Sequence, residues 1–198
     1  MNNDFLKSGR ANQKAQTRSN ILAAAKRLLD KSEDVSLDDI AKEAGISRAT
    51  MYRYYSNVDI LITEAALDIN HESPEEINEQ LEGMNMHERI FAIQKYYNNL
   101  ALEHETAFRR YLSAVLSESI SSKSKLRGAR RVKTLKLALQ PFNKKIKIEE
   151  KEKLINTATI LMGIDPIVAG KDVCRLNDDQ VNETLEWALE MILNGMEK

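Results

Sequence analysis

Cysteine, proline and glycine are scarce in this sequence of 198 residues, which contains one, three and seven of them. The single cysteine, Cys174, excludes an intramolecular disulfide, and the histidines do not join it at the spacing of a zinc site. No apolar run reaches the roughly 18 residues of a transmembrane helix, and the N-terminus lacks the apolar stretch of a secretion signal. We therefore expect a soluble, cytoplasmic protein that has no metal, no cofactor and no contact with a membrane.

Charge of either sign is also not in excess, because 30 Asp and Glu nearly balance 29 Lys and Arg. This balance argues against a protein that coats polyanions along its whole surface, but it allows a local basic patch. The few glycines and prolines provide few turns, and apolar residues recur with a helical period through most of the chain. The sequence therefore predicts an all-α fold.

Helix boundaries are clearest near the N-terminus. Thr17 is expected to cap a first helix, which ends in the polar stretch 31–34. Ser36 is expected to cap a second helix that ends at Gly45, and Ser47 to cap a third. Each of these side chains can accept a hydrogen bond from an amide that the first helical turn leaves without a partner.

Further helices are expected along the rest of the chain. A fourth helix should start near residue 57 and end before Pro74, because proline disfavours helix at the residue before it. Residues 72–88 are acidic and only weakly periodic, which predicts a loop or a short helix. Apolar residues then recur at helical spacing in residues 90–101, 107–116, 132–142 and 154–162. A last helix should begin at an Asn177 or Asp178 cap and carry apolar residues as far as Met196.

Residues 37–53 have the pattern of a helix-turn-helix, in which two helices cross closely and the second enters the major groove of DNA. Ala41 provides the small side chain that the crossing needs. Gly45, four positions later, tolerates the positive φ of the turn. Met51 provides the apolar anchor on the second helix. The spacing and the helix caps together predict a DNA-binding element.

The outward face of the third helix has the side chains that recognise DNA. Arg48 can pair with guanine O6 and N7, and the methyl group of Ala49 can contact a thymine methyl group. Tyr52 and Arg53 lie on the same face, and several hydroxyl groups can bind phosphate oxygens. The predicted DNA contacts are Arg18, Ser36, Ser47, Arg48, Ala49, Thr50, Tyr52, Arg53 and Tyr54.

Basic residues also dominate the N-terminal arm. Residues 1–27 contain six Lys and Arg, Arg18 among them, against Asp4 alone. Such an arm is typical of a phosphate or minor-groove contact that becomes ordered on binding. Residues 123–153 are basic as well, with twelve Lys and Arg against three Glu. We interpret this second stretch as a solvated face, with a further nucleic-acid surface as the alternative.

The sequence resembles the TetR family of bacterial transcriptional regulators. The likeness is carried by residues 17–22, TRSNIL, and by residues 39–55, DIAKEAGISRATMYRYY, where the distance from Gly45 to the tyrosine cluster is typical of that family. Residues 172–176 and 186–188 are similar to the C-terminal ending of many members. The strong match covers about residues 14–65. One departure is Val58, where the family often has a lysine that holds a phosphate.

The resemblance implies a homodimer that binds a palindromic operator, most often as a repressor, and a C-terminal domain that binds a small effector. It implies DNA contacts from Arg48, Thr50, Tyr52 and Tyr54. We accordingly divide the chain into a DNA-binding domain, residues 1–57, and an effector-binding and dimerisation domain, residues 58–198.

Two helical segments of the C-terminal domain, 154–162 and 181–196, are apolar on more than one side. Ile160 and Ile164 extend the first apolar stripe, and Trp187 and Met191 extend the second, so we expect a four-helix contact with a second copy. A helix buried inside a monomer is the alternative. The middle helices provide candidates for an apolar or aromatic effector pocket: Phe91, Tyr97, His104, Phe108, Tyr111 and Met162.

Two other functions compete with DNA-dependent regulation. An enzyme is disfavoured, because His71, His87 and His104 are far apart and no Ser/His/Asp order, phosphate loop or metal spacing accompanies them. A protein-interaction module, whose helix-turn-helix no longer binds DNA, is the second alternative, and the departure at Val58 keeps it open.

Overall fold

The computed structural model describes residues 2–29, 35–68, 71–121, 127, 129–144 and 146–196. Every regular element in these ranges is helical, which confirms the predicted all-α fold. The elements are α1 (Asn2–Leu29), α2 (Leu37–Glu43), α3 (Arg48–Tyr54), α4 (Val58–Asp68), α5 (Pro74–Glu79), α6 (Met86–Glu103), α7 (Glu105–Ser121), α8 (Arg130–Ala138), a 3₁₀ helix (Gln140–Phe142), α9 (Ile148–Ile160), α10 (Ile164–Asp172) and α11 (Asp178–Met196). No described helix is both long enough and apolar enough to cross a bilayer.

The chain forms two compact units. The first comprises residues up to 70 together with 110–127, and the second comprises 71–109 together with the residues from 128 onward. Helix α7 is continuous and contributes residues to both units. The sequence boundary after residue 57 placed α4 with the C-terminal domain, whereas α4 lies in the first unit. The physical reason is that Ile60, Leu61 and Ala65 of α4 are buried in the apolar core that α1 and α2 also build.

The predicted caps of α2 and α3 are confirmed. Ser36 Oγ accepts a hydrogen bond from the Asp39 amide at 3.2 Å, and Asp39 in turn accepts one from the Ser36 amide at 3.1 Å, which completes a capping box. Ser47 Oγ accepts a hydrogen bond from the Thr50 amide at 3.1 Å. Gly45 adopts φ +66°, and the chain turns there. Local hydrogen bonds therefore fix the start of both helices.

The start of α1 differs from the prediction. Helix α1 begins at Asn2, and Thr17 lies in its interior, where its hydroxyl donates to the Gln13 carbonyl oxygen at 2.9 Å. The N-cap assignment of Thr17 was therefore wrong. No proline precedes Thr17 in the chain, so nothing prevents the helix from extending towards the N-terminus. The polar stretch 31–34, where the sequence placed the end of this helix, lies outside the described residues.

The second unit has two elements that the sequence left open or missed. Residues 72–88, a loop or short helix by prediction, contain α5, which Ser73 and Glu76 cap. Helix α10 was not predicted. Helix α9 ends at Ile160 and the chain turns at Gly163, so Ile164 starts a new helix instead of continuing the stripe of α9. Ile164 is accordingly buried, whereas Ile160 is exposed.

Two further helix boundaries in this unit lie at Pro141 and Asn177. Helix α8 ends at Ala138, and Phe142, which we had placed in that helical segment, lies in the following 3₁₀ helix. Pro141 explains the difference, because proline has no amide hydrogen to continue an α-helix. Asn177 caps α11 as predicted, since its Oδ1 accepts a hydrogen bond from the Gln180 amide at 2.9 Å.

The junction between α9 and α10 is held by side chains from α6 and α8. Gln94, which is buried, donates from Nε2 to the Leu161 carbonyl oxygen at 2.9 Å and to the Leu185 carbonyl oxygen at 3.0 Å. Buried Asn98 accepts a hydrogen bond from the Gly163 amide at 2.8 Å. Arg131 donates to the Met162 carbonyl oxygen. These bonds satisfy polar groups that would otherwise be buried without partners.

Candidate nucleic-acid interface

The helix-turn-helix consists of α2, the turn at Gly45 and α3, which we call the recognition helix. Ala41 and Met51 are both buried between the helices, as the sequence predicted. A glycine is needed at position 45 because of its backbone conformation, and not because a side chain would lack space. Nothing lies within 4 Å of the position where a Cβ would stand, but its φ of +66° is unfavourable for other residues.

The recognition helix has one buried and one exposed face. Met51 and Tyr55 are buried, whereas Arg48, Ala49 and Arg53 are exposed and Tyr52 is 50% exposed. This orientation agrees with the predicted one. An exposed tyrosine between two exposed arginines is suited to contact phosphates and base edges in a groove.

The hydroxyl groups expected to bind phosphates have partners within the domain. Ser47 Oγ lies 2.9 Å from Thr50 Oγ1, and Arg53 donates to the same Thr50 oxygen at 3.5 Å. Ser36 is hydrogen-bonded to Asp39, and these bonds lower the pKa of the Asp39 carboxyl below its ordinary value. Ser36 and Ser47 thus have defined roles as helix caps, and their contact with DNA stays a prediction.

Arg48, the expected base-contacting residue, has an acidic neighbour on the preceding helix. Its Nε lies 2.8 Å from Oδ1 of Asp38, the second residue of α2. The Arg48 side chain is 71% exposed and the Asp38 side chain 42%, although Oδ1 of Asp38 is itself buried and accepts no hydrogen bond. The pair therefore stands at the surface that the helix-turn-helix presents.

Arg18, which we expected to contact DNA, is engaged inside the first unit instead. Its Nε donates to Glu64 Oε1 at 2.9 Å, its terminal nitrogen contacts the other oxygen of Glu64, and its guanidinium stacks 4.8 Å from the centre of the Tyr55 ring. The side chains of Arg18 and Glu64 are each only 16% exposed. Because this guanidinium is enclosed and paired with Glu64, it is not presented to a phosphate, and the expected contact of Arg18 with DNA is not supported.

The same carboxylate collects two tyrosine hydroxyls. Tyr55 donates to Glu64 Oε2 at 3.0 Å and Tyr111 donates to it at 3.3 Å. Burial, followed by the negative charge of Glu64, raises the pKa of both phenols, so both remain neutral donors. Tyr111, which we had assigned to the effector pocket, therefore lies in the first unit, in this network. One signal in the sequence pointed to this network, since Glu64 interrupts the apolar run of α4.

The N-terminal arm was expected to become ordered on binding, but α1 is helical from Asn2 onward. Lys14 is exposed on this helix, and the side chains of residues 1–12 lie outside the described part. At the start of α4, Val58 packs against the core of the first unit, and Asp59 is the acidic residue of the first turn. The start of α4 therefore offers no lysine to a phosphate, as the sequence indicated.

The remaining effector candidates lie in the second unit but do not line one described cavity. Tyr97 and Met162 are buried in its core, Phe91 packs against this core, and burial raises the pKa of Tyr97 to about 12. Tyr97 and Phe108 each lie 6.0 Å from the ring of His71, and His104 caps the end of α6. A surface groove of about 370 Å³ is lined by other residues: Glu75, Asn78, Glu79, Glu82, Arg89, Leu137, Gln140 and Pro141.

Helices α9 and α11, where we expected dimerisation, expose apolar side chains. On α11, Trp187 is 61% exposed and Met191 is 47% exposed, although Leu189 between them is buried. Ile160 of α9 is 69% exposed. Among the described residues, no group of three or more His, Cys, Asp or Glu could hold a metal ion.

Comparison with known proteins identifies the N-terminal part of the chain. Residues 21–65 match the family model described as bacterial regulatory proteins, tetR family. This match spans the end of α1, the helix-turn-helix and most of α4, so it covers the exposed face described above. A search of the curated proteins and a search of the solved structures each found no match. Residues 21–65 are thus similar to the N-terminal domain of bacterial regulatory proteins of the tetR family, and this likeness supports a role in DNA-binding transcriptional regulation.

Proposed function

We propose that this protein is a ligand-responsive transcriptional repressor in the cytoplasm, which binds a palindromic operator as a homodimer and leaves it when a small apolar or aromatic effector binds. The observation that carries DNA recognition is the division of the recognition helix. Buried Met51, together with buried Tyr55 directly after the helix, fixes its orientation, and its exposed Arg48, Tyr52 and Arg53 then meet the groove.

The proposed dimer uses α9 and α11. Exposed Trp187, Met191 and Ile160 lie on helices whose opposite sides already pack in the core of the second unit. A second copy that covers them would remove large apolar side chains from water, and tryptophan is among the residues that most often dominate interfaces. Two-fold symmetry would then present two recognition helices to half-sites about 34–36 Å apart, or a multiple of that distance.

The proposed effector response uses the second unit. Phe91, Tyr97, Phe108, His104 and Met162 remain the candidates for contact with an apolar or aromatic effector. In the proposed mechanism, the effector binds more tightly to a form of the dimer whose recognition helices are wrongly spaced, and this difference in affinity releases the operator. A panel of small aromatic acids and amines, tested by the thermal unfolding of wild type and Phe108→Ala, would identify such ligands.

The DNA-binding proposal is tested by selection from a pool of randomised duplexes. Wild-type protein should enrich a palindromic sequence at low salt, and Arg48→Ala should bind the selected duplex with less discrimination against its base-substituted variants. Lys153→Ala, which removes an exposed basic residue of the second unit, is the matched control and should behave as wild type. If the wild type binds neither the pool nor any selected duplex, the proposal fails and the alternative, a protein-interaction module, takes its place.

A further inference from the structure

The ion pair between Asp38 and Arg48 is not explained by stability. Arg48 is the first residue of α3 and Asp38 the second residue of α2, and their side chains are 71% and 42% exposed. An ion pair so exposed contributes little to folding, because water screens it and two flexible side chains must be ordered to form it. Asp39, the next residue, already provides the capping box of α2. The stability of the fold therefore does not account for the pairing of Asp38 with Arg48.

The contact between the two side chains is electrostatic and is not a hydrogen bond. Asp38 Oδ1 lies 2.8 Å from Arg48 Nε, but it accepts no hydrogen bond. Arginine has five N–H donors, and the two terminal nitrogens form the fork that matches guanine O6 and N7. No N–H donor of Arg48 is bonded to Asp38 Oδ1, so this oxygen attracts the guanidinium without occupying a donor of the fork.

We propose that Asp38 is a positioning residue that sets the sequence specificity of Arg48. This inference rests on the proposed contact of Arg48 with a guanine. The Asp38 carboxylate attracts the guanidinium and keeps it beside α2, at the exposed face of the helix-turn-helix. Without Asp38, the same side chain is free to turn to the nearest phosphate, which every duplex offers irrespective of its sequence.

The negative charge of Asp38 also favours binding to the correct DNA sequence over binding to other sequences. A carboxylate close to DNA is repelled by the phosphates, and this repulsion weakens binding to all duplexes alike. At the correct site the cost is offset, because the Asp38 carboxylate stabilises the guanidinium that is bound to guanine. At an incorrect site the guanidinium gains no base contact and the repulsion remains. Asp38 therefore increases the ratio of specific to non-specific affinity, although it does not increase affinity in general.

The test compares Asp38→Ala with Asp59→Ala. Both residues are the second residue of their helix, α2 or α4, and both changes remove one negative charge from the first unit. The probes are the palindromic duplex that wild type selects from a randomised pool and the same duplex with each guanine replaced. Affinity for each probe is measured by fluorescence anisotropy, and circular dichroism checks that each variant is folded.

We expect Asp38→Ala to reduce the ratio of affinities at one guanine by about three- to tenfold, a part of the discrimination that a bidentate arginine–guanine pair provides. Asp59→Ala should leave this ratio unchanged. In an Arg48→Ala background, Asp38→Ala should change the ratio no further. Asp38→Asn retains an acceptor without the charge, so it should fall between wild type and Asp38→Ala.

The outcomes separate this inference from the proposed function. If Arg48→Ala reduces the ratio but Asp38→Ala does not, the positioning role of Asp38 is overturned and the contact of Arg48 with a base stands. If Asp38→Ala lowers the ratio equally in the Arg48→Ala background, Asp38 does not act through Arg48 and the inference is also overturned. If Arg48→Ala leaves the ratio unchanged, the base contact itself is overturned, and the role of Asp38 with it.

Discussion

The hydroxyl of Tyr55 donates a hydrogen bond of 3.0 Å to Glu64, which joins the end of the recognition helix to α4. Tyr55 is the first residue after α3, so its position determines where that helix ends. Glu64 holds Arg18 of α1 and Tyr111 of α7 in the same cluster. One carboxylate thus connects the recognition helix with three other helices of the first unit.

Loss of the Glu64 carboxylate should therefore be costly. Glu64→Ala would leave the Arg18 charge partly buried without its main partner and would remove the acceptor of two phenol hydroxyls. We expect a loss of about 2–3 kcal/mol in the free energy of unfolding. Urea denaturation followed by circular dichroism measures it. Glu43→Ala, which breaks the more exposed pair with Arg27, is the control and should cost less than about 1 kcal/mol. Equal losses in the two variants would show that the cluster does not stabilise the domain.

Gly163 should not tolerate a side chain. Its φ is +80°, and a Cβ built there would lie 2.9 Å from Nη1 of Arg131, which holds the α9–α10 junction. Gly163→Ala is expected to destabilise the second unit by about 1–3 kcal/mol, measured by urea denaturation. Gly195→Ala is the matched control, since Gly195 lies within α11 and has open space around it. This control should be neutral or stabilising by up to about 1 kcal/mol, and a similar loss in both variants would contradict the account of Gly163.

The second unit should lose stability in acid. Lys171, at 2.6 Å, lowers the pKa of Glu105, and Arg109 lowers the pKa of Asp172. Because these carboxyl groups bind protons less readily in the folded state, they stabilise it above the ordinary pKa, which is 4.5 for glutamate. That contribution is lost as the pH falls from this value through the lowered pKa of the folded state.

Thermal unfolding midpoints measured from neutral to acid pH would show this loss. Glu105→Gln should reduce the dependence on pH, because one of the groups with a lowered pKa is gone. Glu103→Gln removes an exposed carboxylate of α6 and provides the comparison. A Glu105→Gln profile as steep as that of the wild type would contradict the assignment.

Trp187 should be central to the dimer. It is the one tryptophan of the chain and 61% exposed, so its fluorescence reports directly on whether a second copy covers it. We expect its emission to shift to shorter wavelength as the protein concentration rises. Trp187→Glu should weaken association by about thirtyfold or more, measured by sedimentation. Val173→Glu, at an exposed residue outside α9 and α11, should not, and a monomeric wild type at micromolar concentration would exclude the dimer.

The sequence predicted the parts of the fold that depend on near neighbours. Ser36, Ser47 and Gly45 act through hydrogen bonds or backbone angles within a few residues, so their types were sufficient. Thr17 was assigned wrongly, because a threonine hydroxyl can cap a helix or can bond back to the preceding turn, and the residue type does not distinguish the two. The direction of Arg48 and Tyr52 followed from helical periodicity, since Met51 can face only one way.

Contacts between distant segments could not be predicted in this way. Arg18 and Glu64 are separated by 46 residues, and their pairing turned an expected DNA contact into an internal one. Helix α10 depends on the turn at Gly163, which Asn98 holds from 65 residues away. Asp38 was overlooked because no local pattern relates it to Arg48, which lies on another helix.

The buried hydrogen bond from the Gly163 amide to Asn98 gives the second unit a natural probe of its own motion. An amide hydrogen held by a side chain that water does not reach exchanges with solvent only when the surrounding helices separate. The exchange rate of this amide in deuterated water therefore reports how often α9 and α10 separate from α6. A compound that tightens or loosens this unit would change that rate before any unfolding is visible, and without the need for DNA in the sample.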